Sequence, residues 1–176
     1  EAQAYGSVNV SCTTKSSIYN YINKDLQQSD KAIYLHFTSN NTIYGTQWDT
    51  FPNPLNSEGY LVADMSSDVF SRTLDFNSIG LIYAGAQKNM GPAGVTLVII
   101  RDDILGKVDR HIPTMLDYRI HIEKGSAFNT PPVSAIFVVN RTLHWVDDLG
   151  GVQVIEEKNK IKANKLYAEI ERNLLF

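Results

Sequence analysis

The feature that most limits the fold of this chain is a series of four short apolar segments, each bounded by polar or turn-forming residues. They are AIYLHF, YLVAD, GLIYAG and VTLVIIR, at residues 32–37, 60–64, 80–85 and 95–101. Nearly continuous apolar runs of this length are typical of strands buried in the sheet of a layered protein. The sequence therefore predicts four core strands.

The lengths of the connections predict the directions of these strands. About fifteen residues separate YLVAD from GLIYAG, enough for the crossover that parallel strands require. Far fewer residues join GLIYAG to VTLVIIR, and Gly91, Pro92 and Gly94 are among them. A crossover does not fit there, so this pair is predicted to be antiparallel. The predicted fold class is α/β, with three layers (αβα) around a mostly parallel sheet that has an antiparallel edge strand.

Three helices are predicted beside the sheet. Apolar residues recur at helical spacing within residues 16–28, which favours a short amphipathic helix there. A second helix is expected from about Pro131 to Leu149, because prolines suit the first turn of a helix and glycines its end. A third is expected over residues 152–173, and its lysine- and glutamate-rich face is typical of a solvated surface. The segment TSNNTIYGT after the first strand is interpreted as a polar loop with a turn at Gly45.

The ends of the chain and a change in composition suggest how it is organised. The sequence begins at Glu1 in a segment that resembles the last turn of a helix, and it stops among the apolar residues 174–176. We therefore expect an internal piece of a longer chain. Because the composition changes at Gly150 and Gly151, we place a domain boundary there, which gives a domain at 1–151 and a helix at 152–176 that leads into another.

Composition excludes several classes of protein. Hydrophobic residues make up 43% of the 176 residues and charged residues 20%, as in an ordinary soluble globular protein. The net charge of −3 offers no basic surface for nucleic acid or for an anionic membrane, and no apolar run is long enough to span a bilayer. Cys12 is the lone cysteine, so an internal disulfide is excluded and the cytoplasm is the expected location.

Two charged residues follow two of the predicted parallel strands. Asp64 ends YLVAD, and Lys88 comes shortly after GLIYAG. If the strands are parallel, both residues lie at the carboxyl edge of the sheet, where open α/β sheets bind ligands. From the spacing alone, the favoured interpretation is a simple ion pair, or two unrelated exposed charges.

The residues around Lys88 favour a chemical role instead. Residues 84–86 are small and leave space for a flat ring, and nearby glycines allow close approach of the backbone. A lysine desolvated in such a pocket has a lowered pKa and is nucleophilic enough to form a Schiff base. A buried aspartate such as Asp64 would hold the proton on a pyridine nitrogen and make the ring an electron sink. Gln87 and Thr42 are candidate donors to a phosphate or a phenolate.

Four motifs together resemble the phosphoserine aminotransferases, pyridoxal-phosphate enzymes of fold type I and class V. The motifs are YAGAQKNMGPAG, ADMSSDVFSRTLD, IPTMLDY and FNTPP, and they follow the order and approximate spacing of that family through nearly the whole chain. The resemblance implies that residues 1–151 form the second half of the cofactor-binding large domain. Residues 152–176 would then enter the C-terminal small domain.

The resemblance also implies roles for single residues. Lys88 matches the lysine that binds pyridoxal 5'-phosphate covalently, and Asp64 matches the aspartate that pairs with its pyridine nitrogen. Gln87 matches a ligand of the cofactor phosphate, and Thr42 a threonine that contacts the cofactor. The loop between Thr42 and Asp64 is slightly longer than the family's usual one.

Asn129 and Thr130, in FNTPP, match a pair that reaches the cofactor phosphate of the neighbouring subunit, which implies a homodimer with shared sites. The implied reaction moves an amino group between glutamate and 3-phosphohydroxypyruvate, giving O-phospho-L-serine and 2-oxoglutarate. It serves serine biosynthesis and can also serve pyridoxine biosynthesis. The family's ring-stacking aromatic residue, its phosphate loop and its substrate-binding arginines lie outside this sequence. The chain by itself is therefore expected to be inactive.

Two alternatives stay open. Since the substrate-binding arginines lie outside this sequence, the chain could belong to another class-V aminotransferase with a different acceptor. It could also be a non-catalytic α/β binding module in which Asp64 and Lys88 form an ion pair.

The remaining candidates for chemistry are interpreted as structural. The four histidines (His36, His111, His121 and His144) lack the spacing of metal ligands, no second cysteine is present to help, and no metal site is expected. Arg72 is expected to anchor the turn behind Asp64.

Overall fold

A computed structural model describes residues 2–175, so Glu1 and Phe176, at the outer ends of the two predicted domains, lie outside the described residues. The strands are β1 (Tyr34–Thr38), β2 (Asn40–Asn41), β3 (Thr46–Gln47), β4 (Tyr60–Asp64), β5 (Ile79–Gly85) and β6 (Thr96–Ile100). The α-helices are α1 (Ala86–Asn89), α2 (Tyr118–Glu123), α3 (Val133–Asp148) and α4 (Gly151–Arg172).

The main sheet contains four strands in the order β1-β4-β5-β6. β4 pairs in parallel with β1 on one side and with β5 on the other, whereas β5 and β6 are antiparallel. The four predicted strands and their directions are confirmed. So is the predicted α/β class with a mostly parallel sheet and an antiparallel edge.

One face of this sheet is buried by the described part of the chain. Leu61 and Ala63 of β4 and Ile82 of β5 are at most 2% exposed. They belong to a core that also contains Phe37, Met65, Val69, Ile79, Ala84, Ala86 and Met90. Because side chains alternate between the two faces of a strand, Val62 points the other way and is only half-buried. The sequence predicted core strands in a three-layer fold, whereas in the described part of the chain the second face of the sheet is only half-buried.

The crossover from β4 to β5, residues 65–78, consists of turns rather than a helix. Its apolar residues Met65 and Val69 are 1% and 2% exposed, so they anchor it in the core. The side chain of Asn89, on α1, donates to the Val69 carbonyl at 2.6 Å. The crossover is therefore fixed both to the core and to the helix that follows β5.

The helix predicted over residues 16–28 is wrong. The chain forms one 3-10 turn at Lys15–Ser17, and Ile18 and Tyr19 follow with φ angles of 53° and 56°. These lie in the left-handed region, which a right-handed helix cannot contain. Ile18 is 72% exposed, while the Tyr19 ring packs on Tyr44 with centroids 5.0 Å apart. The apolar residues therefore make separate contacts and do not form the shared face that would stabilise a helix.

The polar loop predicted after β1 contains a small hairpin made of β2 and β3. The turn glycine predicted there is confirmed, since Gly45 has a φ of 70°. The side chain of Asn41 accepts hydrogen bonds from the backbone N–H groups of Ile43 and Tyr44, which shapes the tip. Thr42 lies on this tip.

The two long predicted helices are confirmed with shifted starts. α3 begins at Val133 rather than at Pro131, since Pro132 occupies the N-cap. Gly150 and Gly151 have φ angles of 100° and 83°, a conformation that favours glycine, and α4 starts there. Over residues 2–175, none of the helices has both the length and the apolar character needed to cross a membrane.

α4 is tied to the β4–β5 crossover through Glu156. One oxygen of Glu156 accepts from the backbone N–H of Thr73 at 2.9 Å, and the other pairs with Lys160 at 2.7 Å. Nearby, the side chain of Asn159 donates to the Ser71 carbonyl at 3.2 Å. The bond to Lys160 and that to Thr73 lower the pKa of Glu156 from its ordinary value of 4.5 to about 2.

We expect Glu156→Gln to lower the melting temperature at pH 6, and the difference from the parent protein to close in acid. The folded-state pKa is depressed, so this contribution is present above about pH 4.5 and is lost as the pH falls through about 2. Thermal unfolding from pH 2 to pH 7 measures it. Glu157→Gln, at an exposed neighbouring position, serves as the control. A Glu156→Gln difference that stays constant with pH would contradict the assignment.

Candidate active site

Lys88 lies on α1, the single helical turn that follows β5. Ala86 and Met90 at the two ends of this turn are 0% and 1% exposed, so one side of the turn is fixed to the core. Lys88 is on the exposed side, and its Nζ donates to the Oγ1 of Thr42 at 3.1 Å. The hairpin tip and the helix thus bring together two residues that are far apart in the sequence.

The small residues near Lys88 do not surround its side chain. Ala84 and Ala86 are 0% exposed and pack in the core, so their small size serves that packing. Lys88 is exposed among the described residues, and the desolvated pocket predicted for it is not formed by them. Gly85 has a different role: a Cβ there would lie 2.5 Å from the Oε1 of Gln87. The glycine therefore allows the Gln87 amide to lie directly against the backbone.

Asp64 ends β4 opposite Tyr83 of β5. Its Oδ1 accepts two hydrogen bonds from Ser66, one from the backbone N–H at 3.0 Å and one from the hydroxyl at 2.7 Å. The same hydroxyl accepts from the backbone N–H of Gly85 at 3.2 Å. Ser66, which the sequence analysis did not single out, thus connects the carboxylate to the start of α1.

Asp64 and Lys88 lie at the same edge of the sheet, because β4 and β5 are parallel. Within the described structure they do not form an ion pair: Asp64 bonds to Ser66, whereas Lys88 bonds to Thr42. The interpretation of the two charges as a simple ion pair is therefore not supported. An amine and a carboxylate with separate partners remain free to act on different parts of one ligand.

Behind this edge, the buried carboxylate of Asp68 connects several segments. Asp68 is 2% exposed and bonds to the hydroxyl of Ser39, to the amide of Gln47 at 3.3 Å and to the guanidinium of Arg72 at 3.4 Å. The backbone N–H of Ser39 donates to the Asp64 carbonyl at 3.0 Å. Arg72 therefore anchors the turn behind Asp64, as predicted.

Asn129 and Thr130 do not join this group of residues within one chain. Both are exposed in the loop before α3, and the side chain of Asn129 lies 3.2 Å from the Sδ of Met115, to which it donates. The single chain thus brings together Lys88, Thr42 and Gln87 near Asp64, but not the pair at 129–130.

Near Asp64 lie His36, which the sequence analysis interpreted as structural, and Tyr83, which it did not single out. The Nε2 of His36 lies 2.9 Å from the Tyr83 hydroxyl, and their rings stack with centroids 6.0 Å apart. Burial raises the pKa of Tyr83, and the charge of Asp64 raises it further. Burial lowers the pKa of His36, with Asp64 acting in the opposite direction. The sequence did contain one signal for this pair. Parallel strands on both sides of β4 place alternate side chains of β1 and β5 on the same sheet face as Asp64.

The groups at this edge fit pyridoxal 5'-phosphate. Lys88 offers a primary amine to an aldehyde carbon, and Asp64 offers a carboxylate to a pyridine nitrogen. The Thr42 hydroxyl and the Gln87 amide, which lies over Gly85, suit the oxygen atoms of the cofactor.

Comparison with known proteins identifies the family. Residues 7–174 match the family described as Aminotransferase class-V, and the chain belongs to that family. Its relatives there include a phosphoserine aminotransferase from Desulfotalea psychrophila, 54% identical over 97% of this chain and 47% of the relative. The chain thus spans about half the length of the curated relatives it matches.

Solved structures agree with this assignment. The phosphoserine aminotransferase of Bacillus circulans subsp. alkalophilus superposes with a TM-score of 0.90 at 41% identity, over 97% of this chain and 47% of that one. The PLP-bound phosphoserine aminotransferase of Trichomonas vaginalis gives a TM-score of 0.78 at 36% identity, over 86% and 44%. The resemblance carried by the four motifs is confirmed.

Asp68→Ala is expected to lower the free energy of unfolding by about 3 kcal/mol, because it leaves the guanidinium of Arg72, whose side chain is 15% exposed, without its counter-charge. Urea unfolding measures the loss. Asp49→Ala, at an exposed position, serves as the control and should change stability by less than about 0.5 kcal/mol. Adding Arg72→Met to the Asp68 variant should recover part of the loss. A loss below about 1 kcal/mol would contradict a charged, paired Asp68.

Proposed function

We propose that the protein containing this chain is a pyridoxal-phosphate-dependent phosphoserine aminotransferase. It moves an amino group between glutamate and 3-phosphohydroxypyruvate, giving O-phospho-L-serine and 2-oxoglutarate for serine biosynthesis. The observation that carries the proposal is the placement of Lys88 and Asp64 at one edge of adjacent parallel strands, each held by its own partner. Identity of about half the residues to a protein of that name supports the choice of substrate.

The residues at the sheet edge have separate roles in the proposed reaction. When bound, pyridoxal phosphate supplies an electron sink for negative charge on the substrate's α-carbon. Lys88 would hold the cofactor through Nζ, and the same amine would move a proton to and from that α-carbon as general base and acid. Thr42 accepts a hydrogen bond from Nζ and orients it. Asp64 would keep the proton on the pyridine nitrogen, and Ser66 fixes the carboxylate through Oδ1.

Lys88→Ala in the full-length protein is expected to lower the rate of phosphoserine formation from glutamate by at least about a hundredfold, because proton transfer is lost. Lys162→Ala, on the exposed face of α4, is the control and should leave the rate unchanged. Near-normal turnover by the Lys88 variant would refute the assignment.

Two further measurements distinguish the alternatives. Borohydride reduction in the presence of pyridoxal phosphate, followed by mass spectrometry, should attach the cofactor to Lys88. Failure to find that adduct would favour a non-catalytic binding module. Comparing phosphorylated with unphosphorylated acceptors separates a phosphoserine aminotransferase from a class-V aminotransferase that acts on another amino acid.

The same proposal covers domain organisation and assembly. Residues 1–151 form the second half of the large domain, and residues 152–176 lead into the small domain. The protein is a cytoplasmic homodimer in which Asn129 and Thr130 bind the phosphate in the partner's site. Support comes from the separation of this pair from the Lys88 group and from apolar residues of α3 that stay exposed (Val133, Ile136, Phe137, Val138, Leu143 and Trp145).

Replacing Asn129 and Thr130 by alanine in the full-length dimer is expected to weaken cofactor binding by about 2–5 kcal/mol, through loss of two charge-assisted hydrogen bonds. The fold should be unaffected. Equilibrium binding of pyridoxal phosphate to the apo dimer measures the change. Asn140→Ala with Thr142→Ala, further along α3, is the matched control.

Mixed dimers test whether the pair acts across the interface. One subunit carries the double change at 129–130, and the other carries Lys88→Ala. If the pair serves the partner, the mutated pair faces the site that has already lost its lysine. The site that keeps Lys88 then receives an intact pair and binds normally. Weak binding at the lysine-bearing site would show that the pair acts within its own subunit.

A further inference from the structure

The pair formed by His36 and Tyr83 spans the strand that carries Asp64. His36 is on β1 and Tyr83 on β5, the two neighbours of β4 in the sheet. In the strand register, Asp64 lies opposite Tyr83 of β5 and opposite Thr38 of β1. His36 precedes Thr38 by two residues, so its side chain is on the same face of the sheet. With Nε2 of His36 2.9 Å from the Tyr83 hydroxyl, the pair closes over this face directly beside the carboxylate.

The carboxylate of Asp64 has room for another donor. Both hydrogen bonds from Ser66 fall on Oδ1, which fixes one oxygen and leaves Oδ2 for a different partner. Tyr83 lies opposite Asp64 on the same face of the sheet, and the charge of Asp64 helps to keep its hydroxyl protonated. A neutral phenol is a hydrogen-bond donor, and donation to a carboxylate favours its charged form.

The Tyr83 hydroxyl has one hydrogen, so it can donate only one of its hydrogen bonds, either to His36 or to Asp64. If that hydrogen is donated to Asp64, the hydroxyl oxygen must accept from His36, so the imidazole carries its hydrogen on Nε2. Burial lowers the pKa of His36, which favours the neutral ring that such an arrangement uses.

We propose that His36 and Tyr83 are positioning residues for Asp64. His36 donates through Nε2–H to the Tyr83 hydroxyl, which donates to the carboxylate and holds it as an oriented anion toward the pyridine nitrogen of the cofactor. This proposal rests on the proposed function, since it assigns a role toward the same cofactor.

The test measures binding of pyridoxal phosphate to the full-length apo protein. Tyr83→Phe should raise the dissociation constant roughly tenfold, as expected for loss of a hydrogen bond to a charged group. In an Asp64→Ala background the same change should have no further effect, because Tyr83 acts through that carboxylate. Tyr60→Phe is the matched control, since Tyr60 stacks on Tyr34 on the same sheet face and should leave binding unchanged.

His36 provides the second variant. His36→Gln places an amide N–H near the position of Nε2–H and should restore most of the affinity that His36→Leu loses. Melting temperatures of all variants establish that they are folded.

The results separate the proposed role of His36 and Tyr83 from the proposed function. A Tyr83→Phe effect that persists in the Asp64→Ala background shows a general structural role and overturns the proposal, as does an unchanged dissociation constant. A parent protein that fails to bind pyridoxal phosphate overturns the proposed function as well.

Discussion

The buried carboxylate of Asp68 is the interaction on which the geometry of the site depends. A charge that is 2% exposed is stable only with partners, and Asp68 takes them from three separate segments: Ser39 after β1, Gln47 in β3 and Arg72 in the crossover. Ser39 also bonds to the carbonyl of Asp64. One buried charge therefore fixes the end of β4 and the hairpin that presents Thr42 relative to each other.

Local patterns were sufficient to predict the sheet. Apolar runs marked its strands, and connection length gave their directions, because a short link containing Gly91 and Pro92 cannot make a crossover. Those directions alone placed Asp64 and Lys88 at one edge. The helix at 16–28 failed for a different reason: Ile18 and Tyr19 take left-handed φ angles, and in the described structure the apolar residues of this segment do not share one buried face.

The finer parts of the site depend on register and burial, which the sequence does not show. Ser66 bonds to Asp64 only because of the turn that follows β4, and Tyr83 lies opposite Asp64 only because β4 pairs with β5. Lys88 was expected to be buried, but small residues beside it pack inward and leave it exposed. The roles proposed for Asn129 and Thr130 rest on the family resemblance, because their loop alone carries no signal that distinguishes a phosphate ligand from a surface residue.

The order of strands in the main sheet has a consequence for how the chain can be made. Among the described residues, the four strands β1, β4, β5 and β6 of this sheet lie side by side in chain order, so each can pair with the edge of the preceding strand of the same sheet as it is made. Within residues 2–175, none of these four strands has to enter between two that are already joined. This part of the sheet can therefore grow from one side during translation, and the antiparallel β6 adds to that edge through a short link.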